Sequence, residues 1–482
     1  MIRVLMVGYN GANNTGAEAL LLSDIEDLRA VLGPEAHITV PTLNEANLRR
    51  YLAESPTLRI APMPTLFFGA IRRMVRESDL VLLAEGSTYM DTWGSPLLWL
   101  FLWATHCAAE LGKPCLAYAV DAGALSPANA RRVARVASRT GLIVTRNRAA
   151  AGRLRAVGVT APILSTADNA FTFQPREADR GWLAREWPRA ARGRGRDSGG
   201  RGMGSGVRGM GSGSKGTGSG GVVGLAAVDF HLFPGVMRLW GPKEFCYKWP
   251  YYLSSSPERR EAGEALARAY AAVADRIVER TGKAVALICM EQLDEAIARR
   301  VHSCMTHPED ARVFSAREYD ASRMTELLRG LDLLITSRYH AAVLSLEAAV
   351  PQIAVGHDTR LDTLYRDLGL REEWFLTPDR VNGLEERVER LLAAPDLQKE
   401  ALRRSHAEHL DRARQNRRLL AGFGAGNLPA AQAAELSELE PAGPPDAEPA
   451  GMPAQFEPAG LPDLRPAGLP AHDPEGGATW VA

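Results

Sequence analysis

The sequence lacks the features that mark several common protein classes. Its five cysteines are spread over 482 residues without a Cys-x-x-Cys pair, which argues against a disulfide framework and against a cysteine-based zinc site. Its ten histidines are scattered as well, so we predict no metal. Basic and acidic side chains number 57 each, and this neutrality argues against a nucleic-acid partner. A reducing cytoplasm is the expected location.

Long apolar runs are also missing. The most apolar stretch, residues 96–104, is followed by Thr105 and His106 and is much shorter than the ~20 residues that span a bilayer. It continues as an amphipathic pattern to Gly112, which favours a buried helix over a patch at a membrane surface. Residues 2–7 form a short apolar run that ends in glycine, so we predict a buried first strand there and no signal peptide.

Two long stretches alternate short apolar runs with amphipathic patterns of helical length. Such alternation predicts parallel sheets with helices on both faces, and therefore two doubly wound α/β domains. The predicted strands of the first domain are residues 2–7, 37–40, 80–83, 114–118 and 142–145. Those of the second are residues 222–227, 284–289, 312–314, 331–336 and 352–355. Helices of the second are predicted at residues 257–280, 292–304, 322–329, 341–349, 381–392 and 397–423.

Two further segments have a composition that cannot bury a core. Residues 189–221 are rich in glycine, arginine and serine, with seven basic residues against one acid, and we predict a flexible linker. An RNA-binding role is the alternative, which the absence of aromatic side chains disfavours. Residues 425–482 repeat Pro-Ala-Gly and carry nine acids against one arginine, which predicts a disordered tail. The two domains are expected at residues 1–188 and 222–424.

The first candidate site lies between the first predicted strand and the helix that follows, at residues 8–19. Its glycines allow the backbone to approach a ligand closely, and free N–H groups at a helix start suit an anion. The segment is neither a dinucleotide fingerprint nor a Walker loop. Strand-to-helix turns without any ligand have similar compositions, so this motif by itself leaves ligand contact open.

The second candidate site is Ser337-Arg338-Tyr339-His340, directly after a predicted apolar strand. This position is the carboxyl edge of a parallel sheet, where doubly wound folds bind ligands. Arginine offers a planar fork to a carboxylate or phosphate, and histidine exchanges a proton near neutral pH. A packed histidine beside an arginine in a surface ion pair is the alternative. Three successive polar groups at a sheet edge favour the site.

These two motifs, in this order, resemble those of the polysaccharide pyruvyl transferase family. Residues 8–19 match its GYxGxxNxGDEA-type opening, and residues 337–342 match its late S-x-R-x-H-x-A-type block, with the serine directly before the arginine. Ala349-Val350-Pro351 stands at the GVP-type turn. Residues 143–147 look like the family's strand ending in Arg-Asp, and residues 167–171 look like its Asp-Pro-Ala-Phe segment.

The resemblance implies a fold and a reaction. The fold is GT-B-like, with two Rossmann-type domains facing a cleft. The reaction transfers a pyruvyl group from phosphoenolpyruvate to sugar hydroxyls as a ketal, with phosphoenolpyruvate as donor substrate and no cofactor. Arg338 and His340 are implied to face the donor, with His340 transferring the proton. We expect Ser337 and Tyr339 beside them, and Arg146 to reach in from the other domain. The acceptor is a sugar or a lipid-linked saccharide, and the latter would bring the protein to the periphery of a membrane.

Three positions depart from the family pattern. Ala17 and Asn147 stand where the family has aspartate, and Glu85-Gly86-Ser87 replaces a glycine-rich triplet. These departures concern the acceptor side more than the donor side. Candidate contacts to the acceptor or to a ligand are Gly8, Asn10, Asn14, Gly16, Glu18, Glu85, Asp168 and Glu291.

Several polar residues have two interpretations. Asp168 either orients Arg146 or caps a helix. Glu291 and Asp294 either meet a sugar hydroxyl or complement a helix dipole, and the dipole is favoured. Arg360 either touches the ligand from a strand-to-helix loop or lies in a surface loop, and the surface loop is favoured. An aromatic run either forms a sugar platform or is a packed loop over the cleft; it comprises His231, Trp249, Tyr251 and Tyr252.

Two rival functions remain at this point. A GT-B glycosyltransferase with a nucleotide-sugar donor would have the same architecture, because fold does not fix function. A catalytically degenerate scaffold is the other, since the three departures fall within the family's motifs. Oligomeric state is not predicted.

Overall fold

The computed structural model describes residues 2–92, 94–188, 220–232, 235–241, 246–248, 251–254, 256–356 and 358–424. The predicted tail lies outside these ranges, as do residues 189–219 of the predicted linker and Trp249.

The first half of the chain forms a seven-stranded parallel sheet in the order β3-β2-β1-β4-β5-β6-β7. Its strands are β1 (Arg3–Val7), β2 (His37–Thr42), β3 (Leu58–Pro62), β4 (Leu80–Leu83), β5 (Cys115–Val120), β6 (Leu142–Thr145) and β7 (Ile163–Ser165). The sequence predicted five of them. The two it missed, β3 and β7, are the edge strands, and an edge strand need not be a continuous apolar run.

The second half forms a six-stranded parallel sheet in the order β13-β12-β8-β14-β15-β16. Its strands are β8 (Val222–Ala226), β12 (Ala284–Cys289), β13 (Ala311–Ser315), β14 (Leu333–Thr336), β15 (Gln352–Val355) and β16 (Phe375–Leu376). In both sheets the order of the strands reverses beside the first strand, as in doubly wound folds. The prediction of two such domains is therefore confirmed. A small antiparallel sheet, which was not predicted, joins β9 (Val236–Met237), β10 (Cys246–Lys248) and β11 (Tyr251–Tyr252).

Fifteen α-helices of the described ranges accompany these sheets. They are α1 (Thr15–Leu32), α2 (Glu45–Leu48), α3 (Phe68–Glu77), α4 (Ser95–Glu110), α5 (Pro127–Ala137), α6 (Arg148–Ala156), α7 (Trp182–Glu186), α8 (Pro257–Thr281), α9 (Glu295–Cys304), α10 (Ala321–Arg329), α11 (Tyr339–Ser345), α12 (Thr359–Asp367), α13 (Arg371–Trp374), α14 (Leu384–Ala393) and α15 (Asp396–Gly424). In this part of the chain no helix is both long enough and apolar enough to cross a membrane.

Alternate residues of β1 belong to two different cores. Leu5 and Val7 pack with side chains of α3 to α6, whereas Val4 and Met6 pack with α1 and with the end of α15. This alternation follows from the two-residue period of a strand. The first sheet is therefore covered on both faces, and α15 supplies part of one cover.

Helix α15 links the two halves. Near its start, the Gln398 side chain pairs with the backbone of Gln352 in the second half, at 2.7 and 3.0 Å. Near its end, Asn416 donates to the carbonyl oxygen of Ala167 at 3.0 Å, and Arg417 donates to Asp27 at 2.7 Å. These contacts fasten the last helix of the second half to the first sheet.

The loop after β1 meets the loop after β12 through the backbone. Asn14 and Glu291 form an antiparallel bridge, Thr15 N donates to the Met290 oxygen at 2.8 Å, and Gln292 N donates to the Asn13 oxygen at 3.1 Å. Both loops follow the carboxyl ends of parallel strands. The carboxyl edges of the two sheets therefore face each other, and the candidate site residues lie between them.

Candidate active site

Arg146 follows the end of β6, and its side chain is wholly buried. Its Nε donates to Asp121 Oδ2 at 2.8 Å, and its Nη1 donates to Asp168 Oδ2 at 2.7 Å. Its guanidinium also lies 4.1 Å from the centre of the Tyr339 ring, in the other half of the chain. Arg146 thus contacts the other half of the chain, and two carboxylates and an aromatic ring hold it; its role in donor binding stays a prediction.

A bulge in β5 brings Asp121 to this arginine. The register between β5 and β6 shifts between Ala117 and Val120, and Ala119 has φ +52°. Bulges bend a strand and re-aim its side chains near active sites. Asp121 was not among the predicted site residues, although an acid directly after a strand end was a usable signal.

Asp168 makes both of the contacts that the sequence left as alternatives. Its Oδ1 accepts from Ala170 N at 2.8 Å and caps a short 3₁₀-helix. Its Oδ2 accepts from Arg146 and lies 3.6 Å from His340 Nε2. Burial alone would raise the pKa of Asp168, but Arg146 and His340 hold that pKa well below its usual range. The carboxylate is therefore ionised at neutral pH.

His340 is the second residue of α11 and faces the first half of the chain. Its Nε2 is buried and has no hydrogen-bond partner among the described residues. On its other side, a Cβ on Gly16 would overlap the imidazole at Nδ1. Only glycine therefore lets the start of α1 approach His340 this closely. A Cβ on Gly86 would likewise overlap the Nη1 atom of Arg146.

Arg338 lies in a second group of charges. Its Nε is 3.0 and 3.1 Å from the Asp294 oxygens, and its Nη1 is 3.3 Å from Glu291 Oε2. Tyr9, from the first half, donates its hydroxyl to Glu291 Oε1 at 3.1 Å. Burial raises the pKa of Glu291 and that of Asp294, even though Arg338 opposes the shift. Both acids hold Arg338, and they also cap the short 3₁₀-helix Gln292–Asp294, so they occupy a helix start as well.

Arg360 extends this group from the first turn of α12, which follows the next strand, β15. Its Nε donates to Asp358 at 2.8 Å, and its Nη1 donates to Ser87 Oγ at 3.0 Å across the cleft. Its side chain is only 13% exposed. The surface-loop interpretation of Arg360 is therefore wrong. The sequence alone could not show that the loop after β4 would cover this side chain.

Glu85, in the triplet that departs from the family pattern, is also buried here. Its Oε1 accepts from Ser87 N at 3.3 Å. Burial raises the pKa of Glu85, while the nearby His340 and Arg146 act in the opposite direction. The site thus contains a carboxyl group that favours its protonated form more than an ordinary glutamate does.

Other predicted site residues have contacts within the protein. Asn10 donates to Pro41 O at 3.1 Å, Asn14 caps α1 through Ala17 N at 3.0 Å, and Ser337 lies 3.4 Å from the Tyr270 hydroxyl. Glu18 accepts from Ala321 N at 2.9 Å, and burial raises its pKa to about 8. Their roles in ligand contact stay predictions.

Two further positions have structural explanations. A Cβ on Gly8 would lie 2.7 Å from the Ala84 oxygen, so glycine is needed where the loops after β1 and β4 meet. Asn147 caps α6 by accepting from Ala150 N at 2.7 Å, and it donates to Asp121 at 3.3 Å. Asparagine caps a helix as well as aspartate does, so this departure preserves the local fold.

A substitution at Gly16 tests the contact with His340. Gly16→Ala is expected to lower turnover about a hundredfold, because the added methyl group displaces the imidazole by about an ångström. Gly152→Ala in α6 is the matched control, since nothing lies within 4 Å of the added carbon. Steady-state rates of the two purified variants give the comparison. Near-normal turnover of Gly16→Ala would show that His340 has no fixed position in the reaction.

The sequence matches the family described as polysaccharide pyruvyl transferase over residues 14–359. The chain belongs to this family. No curated protein sequence matches the chain.

Solved structures show the fold of this pyruvyl transferase family member. MnaA of S. aureus, solved with UDP, superposes with a TM-score of 0.54 at 8% identity, covering 89% of this chain and 98% of that one. Anabaena HepE in complex with UDP-glucose superposes with a TM-score of 0.52 at 12% identity, covering 88% of this chain and 100% of that one. The UDP-GlcNAc 2-epimerase of Neisseria meningitidis bound to UDP-GlcNAc superposes with a TM-score of 0.54 at 8% identity, covering 89% of this chain and 100% of that one. The GT-B-like fold is confirmed, and identities this low show the fold alone.

Proposed function

We propose that this protein transfers the pyruvyl group of phosphoenolpyruvate to two hydroxyls of a sugar in a polysaccharide or its precursor. The observation that carries the proposal is the buried His340 Nε2, which lacks a hydrogen-bond partner within the described ranges and lies 3.6 Å from the ionised Asp168. Histidine is the side chain that most readily donates and accepts protons near neutral pH, and His340 lies between the two halves of the chain. Membership in the pyruvyl transferase family supports the same reaction.

The donor anion is assigned to Arg338 and Arg360. They follow the ends of the neighbouring strands β14 and β15, and each side chain is 13% exposed. Guanidinium forks bind carboxylates and phosphates in two parallel hydrogen bonds, and phosphoenolpyruvate has one of each. The raised pKa of Glu291 lets that acid take up a proton as the donor arrives. Protonation weakens the contact of Glu291 with Arg338 Nη1 and leaves that nitrogen to the donor, while Asp294 still holds Nε.

The chemistry places one proton on the methylene carbon of the donor and one on the departing phosphate, and it takes one proton from each of the two hydroxyls. In this proposal His340 delivers a proton to the methylene carbon of phosphoenolpyruvate, which becomes the methyl group and leaves C2 electrophilic. The first sugar oxygen bonds to C2, the C2–O bond to phosphate breaks, and the second oxygen takes its place. Asp168 stabilises the charged imidazole, and Arg146 holds Asp168. Glu85 faces the acceptor hydroxyls.

Transfer of label tests this function directly. The protein is incubated with phosphoenolpyruvate labelled in its pyruvyl carbons and with a saccharide acceptor, and the product is assayed for label and for released phosphate. Label in the saccharide with equimolar phosphate supports the proposal. A second candidate, a nucleotide-sugar glycosyltransferase, is favoured by the UDP ligands of the structural neighbours. Release of UDP from a UDP-sugar, without any label transfer, would select it instead.

Arg360 provides a specific prediction for the donor site. Arg360→Ala is expected to raise the KM for phosphoenolpyruvate roughly tenfold or more, since it removes charge-assisted hydrogen bonds to the donor. Arg366→Ala is the matched control, because Arg366 lies on the same helix, pairs with Asp362 and is 39% exposed. Rates are measured with the donor varied. An equal KM in the two variants would remove Arg360 from the donor site.

A further inference from the structure

Helices α3, α4 and α5 lie side by side on one face of the first sheet. Helix α4 is in the middle, because it packs against both of its neighbours. The cores beneath them share side chains of β1, β4 and β5. The outer sides of the three helices therefore form one continuous surface of the first half, which the proposed chemistry does not use.

The centre of this surface is apolar. Helix α4 has no charged residue before Glu110, and its outer residues Trp99 and Trp103 are only partly buried. Beside it, at the start of α3, Leu66 is 73% exposed and Phe68 is 43% exposed. The burial predicted for residues 96–104 thus applies to one side of the helix, and the other side reaches the surface.

The aromatic side chains of this centre are fixed in place. Trp103 donates its indole N–H to the Phe68 carbonyl oxygen at 2.8 Å, and the two rings meet edge to face at 5.5 Å. Trp103 also stacks on His106 at 5.3 Å. Rigid aromatic groups with a polar edge are typical of the interface between water and lipid.

Arginines flank the apolar centre on both sides. They are Arg72, Arg73 and Arg76 on α3, and Arg131, Arg132, Arg135 and Arg139 on or just after α5. The three helices contain two acids, Glu77 and Glu110, which pair with Arg59 and Arg139. Arg73, Arg76, Arg131 and Arg135 are exposed and have no ion pair within the described ranges. The surface therefore has an excess of positive charge, although the chain as a whole is neutral.

We propose that this surface, formed by α3, α4 and α5, docks on a membrane that contains anionic phospholipids. Exposed arginines gain attraction to lipid phosphates, and exposed leucine and phenylalanine side chains insert among the acyl chains. A nucleic acid would use the same charges but would leave Leu66 and Phe68 without an apolar environment, so the lipid surface is favoured. Gly94, at the start of α4, lies next to Gly235 of the second half, and a Cβ there would be 3.2 Å from the Gly235 oxygen. The start of α4 therefore contacts the second half of the chain as well.

Vesicle flotation with the full chain tests this proposal. We expect binding to vesicles of phosphatidylcholine with about a third phosphatidylglycerol, little binding to phosphatidylcholine alone, and weakening by added salt. The double variant Arg131→Glu, Arg135→Glu is expected to bind the anionic vesicles at least tenfold more weakly, at about fivefold for each arginine removed. The matched control is Arg403→Glu, Arg404→Glu on α15, which makes the same charge change at exposed positions of another helix.

The apolar contribution is tested separately by Leu66→Ser with Phe68→Ser. Both side chains are exposed, so this variant should fold normally and still lose vesicle binding. Three outcomes would overturn the proposal: absence of binding to anionic vesicles, equal binding by the α5 and α15 arginine variants, or arginine-dependent binding of an RNA duplex without vesicle binding. None of these three outcomes depends on which donor the protein uses. Membrane docking can therefore fail while pyruvyl transfer holds, and pyruvyl transfer can fail while membrane docking holds.

Discussion

His340→Ala is expected to lower kcat by a factor of about a hundred to ten thousand, the usual contribution of a positioned proton donor or acceptor. The expectation rests on the position of the imidazole, which lies against Gly16 on one side and faces Asp168 on the other. No described side chain hydrogen-bonds to its Nε2, and Arg146 still pairs with Asp168 when the imidazole is removed. The melting temperature should therefore change little while turnover is lost.

The control for this variant is His302→Ala, on α9 of the second half. His302 is outside the cleft residues, so turnover and melting temperature should both match the unmodified protein. Label transfer from phosphoenolpyruvate and thermal unfolding are measured on the same preparations. If folded His340→Ala keeps near-normal turnover, another group carries the proton, and Glu85 is a candidate because it is a buried acid with a raised pKa that interacts with His340.

The interior of the fold was predictable from the sequence, and its margins were not. Strands such as β4 and β12 are buried along their whole length and read as continuous apolar runs, which is typical of parallel sheets. The two-residue strand β16 is too short to leave a pattern. Helix α11 and the 3₁₀ turn after it end at Ala349, which has φ +49°. Alanine gives no signal for a left-handed residue, so the predicted helix 341–349 was too long.

The same contrast holds for the candidate site. Arg338 and His340 were predicted because they follow a strand directly, and this relation is local in the sequence. The partners of such residues are distant in sequence. Asp121 reaches Arg146 through a bulge, and Arg360 meets Ser87 from the opposite half. A single sequence records neighbours along the chain, and these pairings arise only when two sheets face each other.

The polar core of the site also predicts the largest stability effect. Asp168→Asn keeps the shape of the side chain and its cap on Ala170 N, but it removes the charge beside the wholly buried Arg146. Breaking a buried ion pair leaves a charge without compensation and costs about 3–5 kcal/mol. We expect a decrease of about 3 kcal/mol in the free energy of unfolding, because Asp121 still pairs with Arg146.

The pH dependence of this effect has a definite sign. The pKa of Asp168 is lower in the folded protein than its ordinary value of about 3.9. Its contribution to stability is therefore complete above that value and is lost as the pH falls toward the folded pKa. The difference between the unmodified protein and Asp168→Asn should be largest near pH 7 and should shrink below about pH 4.

Asp332→Asn is the matched control for this prediction. Asp332 pairs with Lys283 at 2.8 Å, but its side chain is 42% exposed, and an exposed ion pair contributes at most about 1 kcal/mol. Urea unfolding of both variants at pH 7 and at a pH below 4 separates the two cases. If Asp168→Asn costs no more than Asp332→Asn at pH 7, Arg146 does not depend on Asp168, and the two residues cannot act as one support for His340. If instead the large loss is accompanied by reduced turnover in the fraction that remains folded, the carboxylate both stabilises the cleft and sets the position of the histidine.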